Sequence, residues 1–256
     1  MGLLDNTRKK ATAVNAREMI IFSYPKVGKT ELMTHLPGDN NLIIDFDVLG
    51  ENPDGTPAGG TDYYDCNAVV VPDINTFNQL RDEFLEKRPK YDYLVLDTIT
   101  MMYSNIINSI AVGIYNQDQK KNKPTNWDID KLDYGKGHIY KREAMGKVTN
   151  FFKSFCRCLI LVGHVKDAAL DGDSGTINVK DLDVEGKLKN ILALKTDAMG
   201  LLYRSKNNPN QNILSFTATT GSVGGTRIQH LANKEIIISE KQEDGSLTTH
   251  WDKVFI

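Results

Sequence analysis

Residues 20–32 have the sequence Ile20-Ile-Phe-Ser-Tyr-Pro-Lys-Val-Gly-Lys-Thr-Glu-Leu32. The apolar residues predict a β-strand that ends at Ser23, and Gly28-Lys29-Thr30 opens a helix after a tight loop. In such a loop, consecutive backbone N–H groups and the positive end of a helix surround an anion. The layout therefore predicts a phosphate-binding loop, in which Lys29 reaches the β and γ oxygens of a nucleotide and Thr30 places its hydroxyl on Mg²⁺.

The complete motif has a glycine where this chain has Ser23. Serine is small, and a predicted strand precedes the loop and a predicted helix follows it, so we assign nucleotide binding to this loop rather than an incidental strand-to-helix turn. The residues predicted to bind the nucleotide are Ser23, Tyr24, Pro25, Lys26, Val27, Gly28, Lys29, Thr30 and Glu31.

Short apolar runs alternate with longer helix-forming stretches along the chain, which predicts an α/β fold with a mainly parallel central sheet flanked by helices. The predicted strands cover 19–22, 41–44, 68–71, 93–96 and 159–162, and the predicted helices cover 29–36, 74–87, 98–112, 139–155 and 186–194. Near the C-terminal end, antiparallel strands that extend the sheet are predicted at 198–204, 211–217 and 235–239. Two polar stretches, 50–66 and 113–137, are predicted to be functional loops.

We predict a single domain over residues 17–256 of the 256-residue chain, preceded by a flexible N-terminal arm over residues 1–16. No apolar run approaches the ~18 residues of a membrane span, so we expect no membrane contact. Three cysteines are too few for a disulfide framework and favour the reducing cytoplasm. The formal net charge of −2 excludes a global positive field, so any contact with DNA has to come from a local patch.

Asp97 directly follows the apolar run 93–96. Phosphoryl transfer uses a metal ion held by the hydroxyl of the phosphate loop and by an acidic residue at the end of a neighbouring strand. We therefore predict that Thr30 and Asp97 hold Mg²⁺. The alternative is that Asp97 caps the helix that begins near Thr98.

Asp45 and Asp47 follow the predicted strand 41–44 and are two residues apart, which places both side chains on the same side. Either carboxylate is a candidate to orient the water that attacks a γ-phosphate, and the alternative is a polar turn. His164 ends the apolar run 159–162 in the same way. At the edge of the sheet where ligands bind, it is a candidate to contact the γ-phosphate and to report its hydrolysis to the following segment.

Several segments together resemble phage-encoded RecA-like P-loop ATPases, which act in phage DNA recombination and single-strand annealing. The segments are Pro25-Lys-Val-Gly-Lys-Thr30, Leu94-Val-Leu-Asp97, Tyr134-Gly135, Val162-Gly-His164, Asp197-Ala-Met-Gly200 and Gly224-Gly-Thr-Arg227. The resemblance covers about residues 17–235. It implies a RecA-like P-loop NTPase core, assembly into a ring or filament, ATP at the interface between protomers, and single-stranded DNA on loops after the central strands.

The resemblance also implies roles for individual residues. Lys29 and Thr30 would bind phosphate and Mg²⁺, Asp97 would bind the metal ion, and His164 would sense the γ-phosphate. Asp47 would replace the carboxylate that activates water, which is more often a glutamate in the family. Arg227 would act across an interface on a neighbour's nucleotide, and the alternative is a surface arginine.

Two predicted loops are candidates for DNA contact. Residues 117–142 contain seven basic residues, Lys120, Lys121, Lys123, Lys131, Lys136, Lys141 and Arg142, against four acidic ones, with Tyr115, Trp127, Tyr134 and Tyr140 interleaved or adjacent. Lysines beside aromatic side chains are what non-specific single-strand binding uses, and the alternative is a solvated loop whose aromatic rings pack on the core. Residues 166–189 contain four lysines and six acids, which is a poor match for phosphates.

These patterns predict an ATPase that couples the binding and hydrolysis of ATP·Mg²⁺ to single-stranded DNA in phage DNA metabolism. A phage single-strand-binding protein is a further expected partner. The main alternative is a nucleotide-gated module with little turnover that recruits another protein, which Asp47 and the acidic segment 166–189 favour. A small-molecule kinase, with residues 113–137 as a lid over its substrate, is a third option.

Overall fold

The computed structural model describes residues 13–118, 129–132, 135–172, 175–218 and 224–256. The strands in these ranges are β1 (Glu18–Ser23), β2 (Asn41–Asp45), β3 (Val48–Glu51), β4 (Pro57–Gly59), β5 (Ala68–Val70), β6 (Tyr91–Asp97), β7 (Cys156–Gly172), β8 (Gly175–Leu182), β9 (Ala198–Arg204), β10 (Gln211–Ser215), β11 (Gly225–Thr226), β12 (Glu235–Lys241) and β13 (Leu247–Thr249).

The α-helices in the same ranges are α1 (Lys29–Thr34), α2 (Ile74–Lys87), α3 (Ile99–Met102), α4 (Asn108–Asp118), α5 (Gly137–Lys153) and α6 (Gly186–Lys195). A π-helical stretch, Tyr103–Ile107, joins α3 to α4. Over the residues that the structure covers, none of these helices has both the length and the apolar character needed to cross a lipid bilayer.

The central sheet has the strand order β13-β12-β10-β9-β1-β7-β6-β2-β5. The six strands from β9 to β5 run parallel, and β10, β12 and β13 add antiparallel strands beyond β9. This arrangement confirms the predicted α/β P-loop NTPase fold. One detail of the prediction is wrong: β9 is not an antiparallel extension of the sheet, because it pairs in parallel with β1 and is antiparallel to β10 and β11.

Both faces of the sheet are buried, which explains why the central strands are continuously apolar. Ile20 and Phe22 of β1 belong to the core on one face, under helices α2 to α6. Met19 and Ile21 belong to the core on the other face, with Leu32 of α1. The alternation of side chains along β1 thus divides its residues between two separate cores.

Three predicted loops are replaced in part by regular structure. Residues 50–66 contain the two-stranded sheet β3–β4 and a 3₁₀ turn, Gly60–Tyr63. Residues 113–137 include the end of α4 and a 3₁₀ turn, Ile129–Lys131, while residues 119–128 and 133–134 lie outside the described ranges. The described residues of 166–189 are mostly in regular structure: β7 continues past His164 and pairs antiparallel with β8 from Val165↔Leu182 to Gly172↔Gly175, and α6 follows. We call the described residues of 165–182 the β7–β8 hairpin.

Of the predicted arm 1–16, residues 1–12 lie outside the described ranges. Asn15 exchanges two hydrogen bonds with the backbone of Ile256, at 2.7 and 2.9 Å, and Ala16 is buried. These contacts join the start of the described chain to its end.

An ion pair attaches the end of α5 to the start of β1. Lys153 Nζ lies 2.7 Å from the Glu18 carboxylate, and only 4% of the Glu18 side chain is exposed. Removing the ammonium leaves a buried charge without its counter-ion, so we expect Lys153→Ala to lower the free energy of unfolding by about 3 kcal/mol. Urea denaturation followed by circular dichroism measures this.

The matched control is Lys147→Ala, because Lys147 of the same helix pairs with Glu143 at 2.8 Å in an exposed position. That substitution should change the free energy of unfolding by no more than about 0.5 kcal/mol. Equal losses in the two variants would contradict the assignment of a stabilising role to the buried pair.

Candidate functional site

The candidate site lies at the carboxyl-terminal edge of the parallel strands. Ser23 at the end of β1 is directly opposite His164 of β7, and Asp97 at the end of β6 is directly opposite Asp45 of β2. Asp97 is also opposite Val162, two residues before His164. The register therefore brings polar residues of four strands, which are far apart in the sequence, to one edge beside the phosphate loop.

The phosphate loop connects β1 to α1. Gly28 precedes α1 with φ of 100° and ψ of 31°, a left-handed conformation that is available to glycine without steric strain. Its carbonyl accepts the first helical hydrogen bond, from Leu32 N at 3.0 Å. Lys26 also has a positive φ, of 62°. The predicted strand–loop–helix layout is present, with α1 ending at Thr34 rather than at residue 36.

Lys29 is only 6% exposed, whereas most lysines lie at the protein surface. Its ammonium donates a hydrogen bond to the carbonyl of Tyr24 at 3.2 Å. Burial lowers the pKa of Lys29, and the nearby carboxylates of Asp97 and Asp47 oppose that shift. The side chain is thus held inside the loop by one backbone carbonyl and two negative charges.

Thr30 and Asp97 are in contact: the Thr30 hydroxyl donates a hydrogen bond to Asp97 Oδ2 at 2.7 Å. Asp97 is buried, and its other oxygen, Oδ1, has no hydrogen-bond partner among the described residues. Burial raises the pKa of Asp97 to about 7; the hydrogen bond from Thr30 opposes the rise, and the nearby Asp47 and Asp45 charges add to it. Asp97 is not the helix cap, because Thr98 precedes α3 and accepts from the backbone N–H of Met101 at 3.4 Å.

A buried carboxylate oxygen without a partner is a strong ligand for a divalent cation. Together with the Thr30 hydroxyl, Asp97 offers the oxygen atoms that Mg²⁺ prefers, at the mouth of a phosphate loop. The donor set therefore fits the predicted metal ion.

Asp45 and Asp47 have different surroundings. Asp45 is buried and accepts three hydrogen bonds, from Thr61 N, from Thr61 Oγ1 and from Asp47 N, each at 2.9 Å. Gly59 also lies against it, since a Cβ there would be 2.6 Å from Asp45 Oδ2. Asp47 is half-buried and accepts one hydrogen bond, from the Thr98 hydroxyl at 2.9 Å. Asp45 therefore holds the polypeptide after β2 in place, and Asp47 keeps acceptor capacity for a ligand.

His164 is half-buried beside Ser23, and its Nδ1 has no hydrogen-bond partner in the part of the chain that the structure describes. Burial lowers its pKa, and so does the charge of Lys29, while Asp47 and Asp183 act in the opposite direction. These surroundings favour the neutral ring over the charged one, and its Nδ1 is a buried nitrogen whose hydrogen-bonding capacity is unused.

Arg227 is not brought to this site. It follows β11, whose Thr226 pairs with Ala198, and Ala198 pairs with Met19 near the start of β1. The phosphate loop begins at the other end of that strand, four residues or ~13 Å away at the usual rise per residue. The Arg227 guanidinium donates a hydrogen bond to the carbonyl of Leu194.

A cavity of about 380 Å³ opens beside the phosphate loop and contains residues that the sequence analysis missed. Lys26, Val27, Gly28 and Glu31 line it on the loop side, and Tyr64, Arg204, Asn210, Asn212, Lys241 and Leu247 line it on the other. Tyr64 comes from the stretch 50–66, and Arg204 from the end of β9. Their spacing in the sequence does not predict this cavity, because Arg204 reaches the loop through the pairing of β9 with β1, and Asn212 and Lys241 through the pairing of β10 and β12 beyond β9.

Asp97 also makes folding depend on pH. Its pKa is higher in the folded than in the unfolded chain, so its contribution favours folding below about pH 4 and is lost as the pH rises to about 7. Without Mg²⁺ and nucleotide, we expect Asp97→Asn to be more stable than the wild type at pH 8 by about 2–4 kcal/mol, and to approach it at about pH 4.

Urea unfolding at the two pH values measures the difference between variant and wild type. Asp82→Asn on α2, where the side chain is 65% exposed, is the control and should give a difference that does not depend on pH. A difference for Asp97→Asn that is the same at both pH values would contradict a buried, destabilising charge at this position.

Comparison with known proteins identifies a family. No curated protein matches the chain. A family model described as an AAA domain matches residues 15–228, which is most of the chain and includes every predicted site residue from Ser23 to Arg227. The chain therefore belongs to the AAA domain family and is a P-loop nucleotide-binding protein of the ATPase type.

Proposed function

We propose that this protein binds ATP with Mg²⁺ at residues 23–31, hydrolyses it, and couples the cycle to single-stranded DNA. The observation that supports this best is the convergence of Lys29, Thr30 and Asp97 at the mouth of the loop, with the Thr30 hydroxyl 2.7 Å from the Asp97 carboxylate. A buried lysine, a hydroxyl and a buried carboxylate at a helix N-terminus are the groups that bind a nucleoside triphosphate and its metal ion.

Each group has a separate role in this proposal. The backbone N–H groups of the loop and the Lys29 ammonium bind the phosphates, and Thr30 and Asp97 hold Mg²⁺. When bound, Mg²⁺ neutralises phosphate charge that develops during phosphoryl transfer. The base and ribose occupy the cavity between the loop and Tyr64, because it is lined by residues of the loop itself.

Asp47 orients the attacking water, and His164 contacts the γ-phosphate. Asp45 is a poor candidate for the first role because its oxygens already accept three hydrogen bonds. The Asp47 carboxylate accepts one hydrogen bond, from the Thr98 hydroxyl. Since aspartate is one methylene shorter than glutamate, we expect hydrolysis to be slow unless a partner completes the site.

For the proposed coupling to DNA, the acids of the β7–β8 hairpin and its base have to be accounted for. The six acids of residues 166–189 argued against phosphate contact, but four of them have partners within the chain. The pairs are Asp167 with Tyr24, Asp181 with Lys189, Asp183 with Lys166, and Glu185 with Tyr103 and His138. Asp181 and Asp183 are paired with lysines of the same segment, and Asp167 and Glu185 accept from tyrosine hydroxyls. The contacts fix the positions of these four side chains and leave the excess of acids over lysines in the segment unchanged.

The prediction that the basic segment 117–142 contacts DNA has less support. Tyr115 and Tyr140 pack against each other with ring centroids 5.3 Å apart, and Lys141 is buried against Asp130 at 2.5 Å. Tyr115, Tyr140 and Lys141 therefore fit the alternative in which the segment packs on the core. Lys120, Lys121, Lys123 and Trp127 lie outside the described residues, and Lys131 and Lys136 are exposed.

We further propose that the protein assembles into a ring or filament and acts in phage DNA metabolism, as the resemblance implies. Arg227 lies near the amino-terminal ends of β1 and β9, whereas the phosphate loop follows the carboxyl-terminal end of β1. It is too far from the loop of its own chain to act on that nucleotide, so a role in catalysis requires a neighbouring copy.

The first test is ATP turnover by the purified protein with and without single-stranded DNA. Lys29→Ala should abolish ATP binding in calorimetry, a loss of at least about 2–3 kcal/mol of binding free energy, because a charge-assisted contact with the phosphates is removed. The control is Lys147→Ala, an exposed lysine of α5 that should bind ATP as the wild type does.

Undiminished ATP affinity in Lys29→Ala would refute the assignment of the phosphate loop. Turnover that rises with single-stranded DNA would support the coupled ATPase. Tight ATP binding with near-zero turnover that single-stranded DNA does not change would favour the alternative, a nucleotide-gated module that recruits a protein.

A second test separates the two aspartates. We expect Asp47→Asn to lower kcat by about 100-fold or more while the KM for ATP stays within about threefold, because orienting the water matters in the transition state. Asp45→Asn should instead lower the melting temperature, because it disturbs three buried hydrogen bonds. The reverse pattern, with Asp45→Asn inactive but stable, would show that the roles are exchanged.

A further inference from the structure

Tyr24 is the first residue after β1, and its side chain leaves the phosphate loop to contact the β7–β8 hairpin. The Tyr24 hydroxyl donates a hydrogen bond to Asp167 Oδ1 at 2.5 Å. Lys180 Nζ lies over the Tyr24 ring, 5.4 Å from its centroid. Asp167 and Lys180 are direct cross-strand partners in the hairpin, so both project from the same face of it. One rung of the hairpin therefore holds one aromatic ring of the loop.

The backbone of the same residue contacts the lysine of the loop. The Tyr24 carbonyl accepts a hydrogen bond from Lys29 Nζ at 3.2 Å and a second one from Ser23 Oγ at 2.8 Å. Tyr24 is thus attached at one end to the hairpin and at the other to the ammonium that we assign to the phosphates.

The hairpin has a second connection to the site through His164, which precedes it in β7. The His164 carbonyl accepts a hydrogen bond from Asp183 N at 2.8 Å, where the polypeptide leaves β8. The base of the hairpin is therefore fixed beside His164, and its body is fixed at Tyr24. A shift of the hairpin relative to its base would change the Tyr24 contact.

We propose that Tyr24 is a positioning residue that couples the β7–β8 hairpin to Lys29, so that nucleotide binding and the position of the hairpin depend on each other. This rests on the proposed binding of ATP at the loop. Phosphate oxygens compete with the Tyr24 carbonyl for the Lys29 ammonium. A hairpin that holds Tyr24 keeps Lys29 directed into the loop, and by thermodynamic reciprocity a bound nucleotide must affect the hairpin to the same extent.

The chemistry of the contact favours coupling over simple packing. The hydrogen bond from the Tyr24 hydroxyl to Asp167 raises the pKa of the phenol, so the hydroxyl keeps its proton and remains a donor. The phenol is then held by an anion and a cation of the same rung, Asp167 and Lys180. Removing the hydroxyl breaks the link to Asp167 and keeps the ring, its cation–π contact and the Tyr24 carbonyl.

The test is amide hydrogen exchange of residues 165–182, measured by mass spectrometry with and without a non-hydrolysable ATP analogue and Mg²⁺. In the wild type, we expect the analogue to slow exchange in the hairpin, and Tyr24→Phe to abolish that response. Tyr103→Phe is the matched control, because the Tyr103 hydroxyl bonds to Glu185 at 2.7 Å, just after the hairpin and away from the phosphate loop. That variant should keep the wild-type response.

Calorimetry with the same analogue gives an independent readout. Tyr24→Phe and Asp167→Ala should each raise the Kd about fivefold, and the double variant should raise it no further, because both remove the same hydrogen bond. Additive losses, or unchanged hairpin exchange in a wild type that does bind the analogue, would overturn the coupling alone. A wild type that binds no more analogue than Lys29→Ala does would overturn the proposed nucleotide binding and the coupling with it.

Discussion

The parallel register of β1, β7, β6 and β2 is the constraint on which the site depends. Ser23 lies opposite His164, and Asp97 lies opposite Asp45. The side chains of a strand alternate between two faces, so a slip by one residue would reverse the direction of each group. Because both faces of these strands are packed into separate cores, such a slip would also exchange the side chains of the two cores and disrupt the packing of both. Burial of the core thus keeps the polar groups together.

The site is held together at a cost in folding free energy. Asp97 is buried with one oxygen that has no partner among the described residues, and Lys29 is buried beside it. Burial raises the pKa of Asp97 and lowers that of Lys29, so both groups resist the charged state that phosphate and metal chemistry needs. A bound nucleotide and cation would relieve this by supplying the missing opposite charges.

The β7–β8 hairpin determines which neighbours the acids of residues 166–189 contact. In an open loop the acids would lack fixed partners, whereas four acids of this segment have partners within the chain. Asp181, for example, is buried and paired with Lys189. The same pairing brings Asp167 and Lys180 together on Tyr24, which connects the hairpin to the phosphate loop.

The sequence by itself determined the class of fold, the phosphate loop and the strand ends with polar residues. These are local properties: apolar runs of strand length, Gly28 at a position with positive φ, and Lys29 and Thr30 next to it. Tertiary structure alone decided the difference between Asp45 and Asp47, since it depends on a distant partner, Thr61, which occupies one of them. It also decided the cavity beside the phosphate loop, because that cavity arises from strand pairings between segments far apart in the chain, which no local pattern of residues specifies.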